Sequence, residues 1–289
     1  MPELPEVETV RQGLIPVMTE KVIVEFEQRR QDLRWRLPQN MAKRIKNSKI
    51  VNVLRRSKYL IISLSSGEAL IVHLGMSGRL LVLKGLDDTT TEIGKFNFKT
   101  HKHGKHDHII IYLDSGVRIV YNDPRRFGAM DLIPTLKLNS HKWLKNLGPE
   151  PLGNGFSSDY LYGKLQNRKS SVKTTLMDQK IVAGLGNIYV LEALWFSGIS
   201  PLRRANNVRK YEVEALTAAI KNVLTLAIKA GGTSLQDFRQ VGGEIGYFQQ
   251  SLNVYGFVDH KCKNIDCLGT IQTVKQLGRT SYYCNICQK

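Results

Sequence analysis

All four cysteines of this 289-residue chain fall between residues 262 and 287, spaced Cys-x4-Cys, sixteen residues, then Cys-x2-Cys. That pattern constrains the C-terminus more than any other feature. A long chain otherwise free of cysteine is not built as a disulfide scaffold. Two close pairs, each offering two ligands from one tight turn, suit a tetrahedral zinc ion; four free thiols are the alternative. A module this small buries too little apolar surface to fold alone, so metal affinity is expected to supply its stability. Cys262, Cys267, Cys284 and Cys287 therefore read as ligands of one structural Zn2+, with no coordination position left for water.

The rest of the chain divides by its hydrophobic period. Val7, Val10, Leu14 and Met18 recur at helical spacing and predict a helix over 5–19. Short strand-like runs follow at Lys21–Glu27, Ile50–Arg55, Tyr59–Leu64, Ala69–Leu74, Leu80–Leu83, His108–Leu113 and Arg118–Asn122. Turn signals at Ser65-Ser66-Gly67 and Asp114-Ser115-Gly116 separate them. The polar stretch 84–105 reads as a loop. Near residue 132 the pattern changes, and helices are expected at about 158–168, 172–178, 188–197 and 207–230, the last closed by Gly231-Gly232. The tail from about 250 returns to short strands. A β domain, a helical domain and a metal module result.

Forty-two lysines and arginines against 25 acids leave +17, an excess that attracts polyanions. Nucleic acid is favoured over an anionic membrane, since no basic amphipathic helix stands out. No apolar run is long enough to span a bilayer. The N-terminus has acids where a signal peptide has bases, so a cytoplasmic protein is expected. Pro2 is a small second residue, which permits removal of Met1 and leaves a secondary amine. An α-amino group titrates near 8, so part of it is neutral and nucleophilic at pH 7. Glu3 and Glu6 stand close enough in sequence to exchange protons with it or orient it. The same residues also suit an ordinary helix start.

Separated motifs decide between these readings. Pro2-Glu3-Leu4-Pro5-Glu6-Val7-Glu8, Ser57-Lys58-Tyr59-Leu60, His73-Leu74-Gly75-Met76-Ser77-Gly78 and Asp123-Pro124-Arg125-Arg126-Phe127-Gly128 resemble the formamidopyrimidine-DNA glycosylase family. Gly184-Leu185-Gly186-Asn187-Ile188-Tyr189 looks like its helix–two-turn–helix, and Gly278-Arg279-Thr280 through Gln288 like its zinc finger. The resemblance covers nearly the whole chain. Leu4 and Val7-Glu8 point to the branch acting on oxidised purines, not the endonuclease VIII branch acting on oxidised pyrimidines.

The resemblance implies an α+β multi-domain fold. Residues 1–131 would form a catalytic β-sandwich with a leading helix and 132–149 a linker. Residues 150–249 would form the helix–two-turn–helix domain with a lesion-capping loop, and 250–289 a zinc-finger β-hairpin. It implies a monomer acting on damaged double-stranded DNA as glycosylase and AP lyase, by a Pro2 Schiff base and β,δ-elimination. Glu3 would donate a proton to open the sugar, and Glu6 would support Pro2 or Glu3. Lys58 and Arg279 match positions given proton-donor roles; a guanidinium is a poor acid, which favours phosphate stabilisation for Arg279. Lys58, His73, Asn187, Tyr255 and Arg279 match phosphate-gripping positions, and His106, Arg125 and Arg168 further DNA contacts. Met76, Arg125 and Phe127 match residues that fill the gap left by a flipped base. Taken singly, Met76 and Phe127 are more often core residues. Val241–Tyr247, rich in glycine, resembles the loop that closes over the base.

Four features depart from the family, one of them Ser200 before Pro201 where histidine is common. The first cysteine pair is Cys-x4-Cys where Cys-x2-Cys is usual, which puts the shape of that turn in question. Gly256-Phe257-Val258 replaces a more basic stretch. The loop 84–105 is long and leads into His101, His103, His106 and His108, where a second metal site is an alternative to polar surface. A non-catalytic damage-binding protein, a pyrimidine-specific glycosylase and a zinc-stabilised transcription factor are the competing functions.

Overall fold

The computed structural model describes residues 2–84, 104–233 and 247–289. The chain forms two compact units: Met1–Lys145 with Ala230–Tyr247, and Asn146–Lys229 with Phe248–Lys289.

The first unit opens with α1 (Leu4–Met18), whose predicted apolar stripe is buried. The chain then runs through β1 (Ile23–Gln28), α2 (Met41–Ile45), β2 (Ile50–Arg56), β3 (Tyr59–Leu64), β4 (Glu68–His73) and β5 (Arg79–Lys84). It continues with β6 (Asp107–Leu113), β7 (Val117–Asn122) and β8 (Ala129–Pro134). These strands make two antiparallel four-stranded sheets, ordered β1-β6-β7-β5 and β2-β3-β4-β8. Alternate residues from both sheets, among them Phe26, Ile62, Val72, Ile111 and Tyr121, share one core with Val10 and Leu14 of α1. Glu8 ties α1 to the sheet through Arg55, at 2.9 Å, and to Arg11 on its own helix. Burial alone would raise the Glu8 carboxyl, but its two guanidinium partners hold it below the usual carboxylate range.

The topology has one consequence for function. Among the described strands the chain passes directly from one sheet to the other twice, between β4 and β5 and between β7 and β8. Register makes these crossings neighbours. His73 pairs with Ala129 and Arg79 with Asn122, so residues 74–78 run beside residues 123–128.

The second unit carries α3 (Ser158–Gln166), α4 (Val172–Leu176), α5 (Asn187–Phe196) and α6 (Lys210–Lys229). Ser157 and Ser171 cap α3 and α4 with their hydroxyls. Gly231 and Gly232 both adopt positive φ directly after α6, the conformation that ends a helix. A hairpin of β9 (Ile271–Gln276) and β10 (Arg279–Cys284) completes the chain, turned by Leu277 and Gly278 at positive φ. Among the described residues, no helix is long and apolar enough to cross a membrane.

Candidate active site

At the start of α1, Pro2, Glu3 and Glu6 are all buried. Glu3 is the N-cap, and its backbone N–H donates to Glu6 Oε2 at 2.7 Å, half of a capping box. Glu6 Oε1 accepts from the Thr233 backbone N–H at 2.9 Å and the Thr233 hydroxyl at 3.0 Å. Gly232 has a φ of +81°, which favours glycine, and a Cβ there would press on Glu6 Oε1 at 3.0 Å. Thr233 bridges Tyr247, and Tyr247 N–H donates to Ala230 O. Glu6 thus fixes both the turn carrying Pro2 and the stem of the segment expected to cap a lesion. Of that segment, 241–246 lies outside the described residues.

Lys58, on the β2–β3 turn beside Ser57 at φ +55°, is 7% exposed, unusual for lysine. His73 lies near it. Burial, with Lys58 and Arg34 adding to it, pulls the imidazole down to about 4, so His73 is neutral at pH 7.

The two crossings carry the expected wedge. His73, Met76, Arg125 and Phe127 line one open cleft of about 560 Å³, with Arg126 also on its wall. Phe127 is 42% exposed, which removes it from the core, and the Arg125 guanidinium lies 4.8 Å from its ring centroid. The fully buried Asp123 organises this turn, a role that the sequence alone does not disclose. One carboxylate oxygen accepts from Ser77 Oγ at 2.6 Å; the other accepts from Gly128 N at 2.8 Å and Tyr121 OH at 3.1 Å. Ser77 Oγ in turn accepts from Arg125 N. Gly75, at φ +66°, lies so close to the Phe127–Gly128 backbone that a Cβ would overlap it.

His106 sits at the edge of this region, half-buried, its carbonyl accepting from Asp123 N. His108 is buried, and its Nε2 bonds Asp123 O. It faces the turn and not solvent, contrary to the surface reading. His101 and His103, named for the alternative second metal site, lie outside the described residues.

In the second unit Asn187, the first residue of α5, donates to the Thr280 carbonyl at 2.9 Å beside Arg279. Two further residues there are not apparent from sequence. Lys173 is 1% exposed; burial and Arg279 lower its ammonium to about 8. Glu192, wholly buried in α5, accepts from the backbone N–H groups of Asn253, Val254 and Tyr255, and so positions Tyr255 against Tyr282. Arg168 is exposed and 3.8 Å from Asp178.

The four cysteine sulfurs lie within 4.8 Å of one another. Cys262–Cys287 and Cys267–Cys284 are 3.7 and 3.6 Å apart, far beyond a disulfide's roughly 2.05 Å. They are close to the ~3.8 Å edge of a tetrahedron with ~2.3 Å Zn–S bonds. Each sulfur accepts at least one N–H, with Trp195, Gly269, Ile286 and Asn264 among the donors. Burial opposes ionisation of Cys284, but backbone N–H groups of Cys287 and Ile286 bring it down to about 7. The set fits a structural metal ion, and the longer Cys-x4-Cys turn still delivers both sulfurs.

Two β-sheets led by an acid-bearing helix, a helical unit and a four-cysteine hairpin define a DNA glycosylase of the helix–two-turn–helix class. Residues 1–130 match the profile of the formamidopyrimidine-DNA glycosylase N-terminal domain, and residues 147–239 that of its H2TH domain. The chain is 51% identical to the formamidopyrimidine-DNA glycosylase of Ruegeria pomeroyi and 50% to that of Dinoroseobacter shibae, over the full length of each. It is similar in structure to a Lactococcus lactis Fpg mutant bound to Fapy-dG-containing DNA, with a TM-score of 0.87, 33% identity and complete coverage of both chains. The same coverage and identity hold, at 0.86, for MutM bound to DNA containing carbocyclic 8-oxo-G. The chain belongs to the formamidopyrimidine-DNA glycosylase family.

Proposed function

We propose that Pro2, freed by removal of Met1, is the nucleophile through which this bifunctional glycosylase and AP lyase excises oxidised purines from duplex DNA. The supporting observation is the buried start of α1, where Glu6 holds Glu3 N–H and Thr233 together around Pro2. The amine attacks C1′ of the damaged nucleotide; the C1′–N bond breaks and the base leaves, taking up a proton. Glu3 protonates the ring oxygen, opening the sugar to an iminium. That cation acidifies C2′, so β-elimination breaks the C3′–O bond and δ-elimination the C5′–O bond. Glu6 is a positioning residue. Lys58 serves the sugar and phosphate at the lesion, with His73.

The partner is damaged double-stranded DNA, bound by a monomer in the bacterial cytoplasm. Met76, Arg125 and Phe127 fill the gap left by the flipped base, and Arg125 bonds the orphaned cytosine. Asn187, Arg279, Tyr255, Arg168 and His106 contact the backbone. One zinc ion on the four cysteines fixes the hairpin that carries Arg279. Borohydride should trap a covalent complex with 8-oxoguanine duplex, and sequencing should place the adduct at Pro2. A trapped complex with the adduct on a lysine would refute the assignment.

A further inference from the structure

Residues 29–36, Arg-Arg-Gln-Asp-Leu-Arg-Trp-Arg, carry four arginines and one acid. The loop is shaped, not slack. Leu33 and Leu37 are anchored in the core, Leu37 N–H donates to Gln31 O, and Arg34 N–H donates to Gly128 O. Trp35 is nevertheless held 48% exposed. It stacks on Trp143 at 5.3 Å, and Trp143 stacks on Tyr59 at 6.0 Å. Tyr59 packs on His73, its register partner. The Arg34 guanidinium closes the outer end of this column, 4.7 Å from the Trp35 centroid.

Two arginines of the loop are neutralised, Arg29 by Glu27 and Arg30 by Asp32. Arg34 and Arg36 have no acid partner among the described residues. Arg34 also lies on the wall of the cleft that contains Met76, Arg125 and Phe127. Fixed cations on an aromatic support match phosphates, and a pre-stacked guanidinium has little entropy left to lose on binding.

We infer that the 29–36 loop is a second phosphate-binding surface: Arg34, stacked on Trp35, and the nearby Arg36 grip the backbone of the strand opposite the lesion. This rests on the reading above, in which Arg125 faces the base of that strand; a cation on the same cleft wall then meets that strand's phosphates.

The test measures binding of the full-length, metal-loaded protein to a duplex with a tetrahydrofuran abasic analogue, across a salt series. Each phosphate that the protein no longer neutralises should flatten the slope of log K against log salt by about 0.9. Arg34→Gln/Arg36→Gln should therefore lower it by roughly 1–2 and raise Kd at least tenfold near 0.1 M salt, with an unchanged melting temperature. Trp35→Ala should show a smaller rise. Independently of any variant, neutral methylphosphonates should weaken wild-type binding at positions opposite the lesion that the double variant ignores. An unchanged slope in the double variant, or sensitivity confined to the lesion strand, would overturn the inference. Failure of the wild type to prefer the lesion duplex would instead refute the functional reading.

Discussion

The turn that carries Arg125 and the hairpin that carries Arg279 each bear a guanidinium proposed to meet DNA, but they are held by opposite means. The 123–128 turn is fixed from inside the sandwich: Asp123 satisfies Ser77, Tyr121 and Gly128, and Gly75 packs on its backbone. The hairpin has little core of its own. Ile265, Leu268 and Leu277 are 82% exposed or more, and the inward-facing groups are mostly the four sulfurs with Ile271. One element is set by the fold's own hydrogen bonds; the other carries a four-cysteine cluster that fits an ion, on which its shape is proposed to depend. The shape of the hairpin should therefore follow metal content, whereas that of the turn should follow the stability of the first unit.

Metal removal should give the largest effect. Structural zinc sites contribute on the order of 10 kcal/mol or more to folding of their modules. Chelation, or Cys284→Ser, should abolish amide-exchange protection in β9 and β10 while that of β3, β4 and β7 persists. Loss of protection in both units together would break the comparison.

Asp123→Ala should come next. It strands three buried donors, each at about 1–3 kcal/mol, and should destabilise the first unit by about 3–5 kcal/mol in denaturant titration. A cost below about 1 kcal/mol would show that the turn is not held from Asp123.

A smaller effect follows acid. The folded His73 imidazole titrates near 4, below its ordinary 6.5. The unfolded chain therefore binds more protons between those values, and stability present above pH 6.5 is lost as pH falls toward 4. The loss is at most about 3 kcal/mol. His73→Gln should flatten that limb of the stability–pH curve; an unchanged limb would contradict the burial argument.

The subtlest effect is on specificity. Arginine's fork matches the two acceptors on cytosine's pairing edge, whereas adenine sets a donor beside one acceptor. Arg125→Ala should reduce the preference for lesions opposite cytosine over adenine by roughly tenfold or more, from about 1–3 kcal/mol of discrimination. Arg126→Ala, on the same cleft wall, is the control, and single-turnover excision on both pairings is the readout.

Legibility in the sequence followed locality. Tyr59–Leu64 is a short apolar run bounded by turn signals, and its strand is as predicted. β8 escapes a sequence reading because Ala-Met-Asp-Leu-Ile-Pro has neither clear alternation nor β-branched enrichment; pairing with β4 makes it a strand. α2 escapes it because five residues give no period. The motifs disclose the residues proposed to meet the substrate. Asp123, Glu192 and the Trp35–Trp143–Tyr59 column stay hidden, because each acts through partners tens of residues away. Asp123 stands inside a recognisable motif, yet only register shows that Ser77 and Gly128 meet on it.

The central claim is that the chemistry begins at the Pro2 amine. Its most direct test compares borohydride trapping on 8-oxoguanine duplex for protein with a free Pro2 and for protein extended by one blocked residue. The account predicts that the extended protein keeps lesion binding within a few fold but forms no covalent adduct and neither releases base nor cuts the strand. Undiminished trapping and cleavage by the blocked protein would contradict it.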